Sequence, residues 1–91
     1  MTLTKKTITD RAETLAVGSH YCIQVRERNQ ILEDGKEIAA SFRRFVLEPE
    51  SDVSKIADPM VKAQFEAVMT DSVKANYQDF KEAQEAEINP T

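Results

Sequence analysis

His20 and Cys22 are the two side chains in this sequence best suited to chemistry, and they stand two residues apart. On a strand that spacing places both on one face. There an imidazole and a thiolate can ligate a metal, or serve as base and nucleophile. No third His or Cys exists to complete a zinc site, so carboxylates would have to supply the remaining ligands. A chain of 91 residues also has little cleft in which to shelter a reaction. We therefore expect Cys22 to be a small buried residue, His20 a surface residue near a turn, and the chain not to be an enzyme. Gly18 and Gly35 are the only glycines, too few for a phosphate-cradling loop. The carboxylates fall on caps, turns and helix surfaces, and Glu82, Glu85 and Glu87 read as a solvated helix end. No metal and no cofactor are expected.

The arginines Arg26, Arg28, Arg43 and Arg44 make a stronger cluster. If the two strands that carry them are joined by a two-residue turn at Asp34-Gly35, Arg26 lies across from Arg43 and Arg28 lies diagonal to it. Like charges directly opposite each other are unfavourable unless something neutralises them. The counter-charge can come from an acidic C-terminal helix of the same chain, from a neighbouring subunit or from a nucleic-acid phosphate. Alternatively, the arginines simply face solvent. Tyr21 and Phe45 are near enough to offer stacking, but aromatics at strand ends more often belong to a core. A net charge of −4 argues against nucleic-acid binding by overall charge.

The elements that position these residues follow from patterning. Asp-Gly is a preferred pair for a type I′ turn, whose central residues both need positive φ. Alternating segments flank it, so residues 19–48 read as a long hairpin with Asp34 and Gly35 at its tip. In the simple register Ile31 faces Ile38, Glu27 faces Phe42 and Ile23 faces Val46. One face then carries Tyr21, Ile23, Val25, Ile31, Ile38, Ala40, Phe42 and Val46. The reverse face carries Arg26, Arg28 and Arg43, with Cys22, Phe45 and Leu47 clustered at its base. A bulge would swap this phase partway along. Residues 1–17 read as an N-terminal arm or edge strand, although Asp10 and Glu13 also resemble a helix capping box. Gly18-Ser19 marks a turn.

After Pro49 a polar loop leads to Asp58-Pro59, a carboxylate N-cap followed by proline at the first helical position. Val61, Phe65, Val68 and Met69 follow at helical spacing, and Val73, Tyr77 and Phe80 repeat it after a second cap at Thr70. These predict two helices, about 59–69 and 71–86, with the tail from Glu85 onward fraying. The fold class is thus α+β: a long antiparallel β-hairpin, with a third strand if the N-terminal arm pairs, packed with one or two C-terminal helices over residues 58–86. All of this fits one small domain. No apolar run approaches the length of about 20 residues that spans a bilayer, and the first dozen residues lack a signal-peptide core. A chain kept in the cytoplasm is expected.

The run Ile31-Leu32-Glu33-Asp34-Gly35-Lys36-Glu37-Ile38, then Ser41-Phe42-Arg43-Arg44 and Leu47-Glu48-Pro49, resembles a group of small uncharacterised proteins of tailed bacteriophages. The likeness continues through the acidic loop Glu50-Ser51-Asp52 and the segment Met69-Thr70-Asp71-Ser72-Val73. That group commonly has His before Arg where this chain has Phe42-Arg43. The resemblance implies a phage origin and a place among virion, tail or tail-assembly proteins, in the host cytoplasm during assembly and in the virion. It carries over no active site. The expected function is a non-enzymatic structural or assembly protein acting by protein–protein contact, with a regulator or inhibitor of a host protein as the alternative. Expected partners are further copies of the chain, as a dimer or trimer, and other phage proteins. The interaction residues would be Arg26, Arg28, Arg43, Arg44, Leu32, Phe45 and Leu47, with Arg26, Arg28 and Arg43 meeting Asp79 and Glu82 of a neighbour.

Overall fold

A computed structural model describes residues 2–88, with side chains through residue 86. Three long strands form one antiparallel sheet in the order β1-β2-β3: β1 Leu3–Val17, β2 His20–Glu33 and β3 Lys36–Leu47. After a short 3-10 turn at Val53–Lys55 come α1 Pro59–Val68 and α2 Asp71–Ile88. The N-terminal arm is therefore a paired edge strand. Threonines at four alternate or near-alternate positions suit a strand better than a helix, and they outweigh the cap signal at Asp10. Gly18 opens the β1–β2 turn at φ +63°. Asp34 and Gly35 turn β2 into β3 at φ +51° and +84°, both positive as the type I′ geometry requires.

The α2 helix continues through Glu85 to Ile88, where a fraying tail was expected. The rest of that tail, residues 89–91, lies outside the described residues. No helix among the described residues is long and apolar enough to cross a membrane.

The hairpin register departs from the simple one. Glu33 faces Lys36 as expected, but the register shifts between Ile31 and Leu32, so that Ala39, not Ile38, faces Ile31. One extra residue in β3 inverts that strand's phase from there to its base. Phe45 therefore faces Val25, and Leu47 faces Ile23. Leu47 is 8% exposed and Phe45 is half-buried against the core, whereas Val46 is 49% exposed and Phe42 is 44% exposed. The expected apolar cluster of Cys22, Phe45 and Leu47 on the reverse face does not exist. A second shift, between Thr9 and Arg11, leaves Asp10 unpaired in β1.

The core is small and sits at one end of the sheet. Ile23, which is fully buried, Val25 and Leu47 meet Val61, Phe65, Met69 and Val73 from the helices. Asp58 caps α1 by accepting from the Met60 amide at 2.8 Å, with Pro59 in the first turn. The neighbouring Thr9 hydroxyl, with the Met60 and Val61 amides, holds the Asp58 carboxyl below the usual range. Thr70 caps α2 by accepting from the Val73 amide. Gln64 donates to the Thr14 hydroxyl at 2.9 Å, and Asn76 donates to the Ser19 carbonyl at 2.8 Å, so both helices are pinned to the turn end of the β1–β2 hairpin. The described chain measures 64 × 27 × 20 Å, because the sheet runs well past the helices.

Candidate interaction surface

Along β2, alternate residues face the helices and the reverse side. The reverse face is built in cross-strand rows: Ile8, Arg28 and Phe42 in one, and Arg11, Arg26 and Arg44 in the next. Arg26 thus faces Arg44 rather than Arg43. Arg43 faces Glu27 on the opposite side of the sheet, where its guanidinium bonds that carboxylate at 3.2 Å and lies 5.1 Å from the Phe45 ring. The β3 bulge is the reason for both changes, because it turns Arg44 to the face that the simple register gave to Arg43.

The counter-charges come from the sheet itself, not from the C-terminal helix. Arg28 grips Glu37 with two guanidinium nitrogens, the Nε bond being 2.8 Å, and Gln30 adds a bond to the same carboxylate at 2.9 Å. These bonds hold the Glu37 carboxyl down to about 2. Arg26 pairs with Asp10, the residue that the β1 bulge leaves over. The guanidinium carbons of Arg26 and Arg28 lie 4.8 and 5.3 Å from the centre of the Phe42 ring, within cation–π range. Arg11 and Arg44 are exposed and form no ion pair among the described residues. Together with Glu13, Gln24, Arg26 and Val46 they line a shallow groove of about 290 Å³.

Of the residues singled out from the sequence, Arg26, Arg28 and Arg44 come together on the reverse face. Leu32, opposite Glu37, lies nearer the tip. Arg43 lies on the helix side together with Phe45, which is half-buried against the core, and Leu47, which is part of the core. Arg11 and Asp10 were missed. Their strand shows little alternation, and a one-residue bulge leaves no mark in composition.

His20 was also misplaced. It is 4% exposed, with its ring 5.0 Å from that of Tyr77 and 4.8 Å from that of Phe80, and its Nδ1 has no partner among the described residues. The nearby signal was the i, i+3 aromatic pair on α2, which needs a flat partner at the sheet's base. Tyr77 donates to Glu48 at 2.6 Å, and this bond with burial pushes its hydroxyl up to about 12. Lys81 bonds Glu50 at 2.8 Å beside it. Among the described residues no three His, Cys, Asp or Glu side chains gather in a metal-binding group. No family model matches the chain, and neither a curated protein nor a solved structure matches it.

Proposed function

We propose that the chain is a non-enzymatic bacteriophage structural or assembly protein that works by protein–protein contact. One observation carries the contact reading. Helices cover one face of one end of a long three-stranded sheet, leaving the distal half bare on both faces and both edges open. A sheet gains stability from an apolar face that is covered or packed on a helix, which this half lacks, and exposed edges and apolar side chains are surfaces that partners cover. Ile31, Ile38 and Phe42 are exposed along that distal stretch. The single histidine is packed between two aromatic rings instead of lining a groove, which fits a binding role better than acid–base chemistry.

The phage setting rests on the sequence resemblance alone. It is tested by mass spectrometry of purified particles and of assembly intermediates. Recovery of the chain at a fixed stoichiometry is the expected result; its absence from both overturns the reading. Binding of a host protein is the second reading. It is favoured by β3, an edge strand whose residues 38–42 carry no charge and no proline, features that leave an edge open to strand addition.

A further inference from the structure

We infer that the Arg11–Arg26–Arg44 row on the reverse face binds the acidic outer side of α2 in a second copy of the chain, as a head-to-tail contact. This deepens the contact reading above and rests on it. Three arginines directly opposite one another across three strands repel unless anions meet them. Asp10 answers one of the three, while Arg11 and Arg44 stay exposed and unpaired among the described residues.

The matching anions are in the same chain but on the wrong side of it. Charge is divided sharply along the sequence: residues 1–47 hold eight Lys/Arg and six Asp/Glu, and residues 48–91 hold four and ten. All five arginines are in the sheet. On α2, Val73 and Tyr77 face the core, while Asp79, Glu82 and Glu85 are exposed. The own helix packs on the opposite face of the sheet, so these carboxylates cannot reach round to the arginine row.

The two arrays are commensurate. Residues three apart on a helix are separated by about 4.5 Å along its axis. Neighbouring strands are separated by about 4.8 Å. A helix laid across the strands therefore sets Asp79 and Glu85 about as far apart as Arg11 and Arg44, on either side of Arg26, which Asp10 already meets. Lys81 does not interfere, because Glu50 holds it on the flank. Since the two patches lie on opposite sides of one molecule, each copy that donates a helix still offers its arginine row. Such a heterologous contact grows past a dimer, into a ring if the rotation closes and a filament if it does not.

The test is sedimentation of the full chain from micromolar to millimolar concentration, at low and high salt. Growth beyond a dimer at low salt and dispersal at high salt are expected, because exposed charge pairs are screened. An Arg11→Glu/Arg44→Glu variant and an Asp79→Lys/Glu82→Lys/Glu85→Lys variant should each weaken association by about tenfold or more. Mixed together they should regain it, since the reversed row then meets the reversed helix. Their far-UV spectra and melting curves should match the parent, as the substituted side chains are exposed. A parent chain that stays monomeric throughout, or stops at a dimer, overturns the inference. So does a mixture of variants that fails to associate. Binding of a single-stranded oligonucleotide by a monomeric parent, lost in the arginine variant, would assign the row to nucleic acid and also overturn it. A chain found in particles yet monomeric in solution sinks only this inference. A chain that polymerises yet is missing from particles sinks only the phage setting.

Discussion

Truncating Leu47 and Val46 separately to alanine tests the phase of β3. Leu47 lies opposite the fully buried Ile23 and is 8% exposed; Val46, its neighbour, is 49% exposed. Leu47→Ala removes three buried carbons at about 0.8 kcal/mol each, and the cavity left behind raises the cost to about 3 kcal/mol. Val46→Ala removes two carbons that are half in water, at about 0.8 kcal/mol in total. A chain of this length has a stability of roughly 5–14 kcal/mol, so the first loss is large and the second is small. In melting temperature the two amount to a fall of roughly 12–24 °C and roughly 3–6 °C. Urea unfolding followed by circular dichroism measures both, with an unchanged slope showing that the comparison is sound. If Val46→Ala costs as much as Leu47→Ala, the extra residue in β3 is misplaced, and the arginine rows dissolve with it.

Other perturbations address the turn, the cap and two titrations. Gly35→Val forces a β-branched side chain to φ +84° with open space around it, so the cost is conformational, about 1 kcal/mol or more in chemical denaturation. Asp58→Ala removes the α1 cap and should cost about 1 kcal/mol by the same assay; no change would mean that the cap does not hold the helix. The Glu37 carboxyl, held down to about 2 by Arg28 and Gln30, is depressed in the folded state. Its contribution is therefore present above the ordinary value of 4.5 and lost as pH falls through about 2. Carbon-13 detection of that carboxyl should find it ionised at pH 3.5. Tyr77 is raised in the folded state, so its contribution is complete below pH 10 and lost between 10 and about 12. In a Tyr21→Phe chain the remaining phenol should ionise near 12 by ultraviolet absorbance, and a titration near 10 would break the Tyr77–Glu48 bond.

Local chemistry made much of the architecture legible. Asp34-Gly35 and Asp58-Pro59 each impose a backbone conformation within two residues, so the hairpin tip and the start of α1 stand where the sequence places them. The spacing of Val61, Phe65, Val73 and Tyr77 likewise identifies the helix faces that enter the core. The surface was harder to read, because it depends on register. A single bulge residue near Ile38 reverses every side chain below it, exchanging Val46 for Leu47 and Arg43 for Arg44. Nothing in residue type distinguishes a bulged strand from a regular one when both phases carry apolar residues. The same holds for Asp10, which acquires its partner only through the β1 bulge. His20 illustrates a different limit: its burial depends on where α2 crosses the sheet, a tertiary fact.

The first strand begins beside the far turn. The Asp34 amide donates to the Thr2 carbonyl at 3.0 Å, and the Thr2 amide donates to the Asp34 carboxylate at 3.1 Å. Leu3 thus sits at one extremity of the ribbon and α2 at the other. Tension applied between those two points runs parallel to the strands. It slides β1 along β2 instead of peeling it away, and antiparallel ladder bonds, which lie perpendicular to the strands, then bear the load together. Pulled in this direction, the sheet should yield at a much higher force than when it is pulled open from the Gly18 turn, a difference that single-molecule stretching from two attachment geometries can measure.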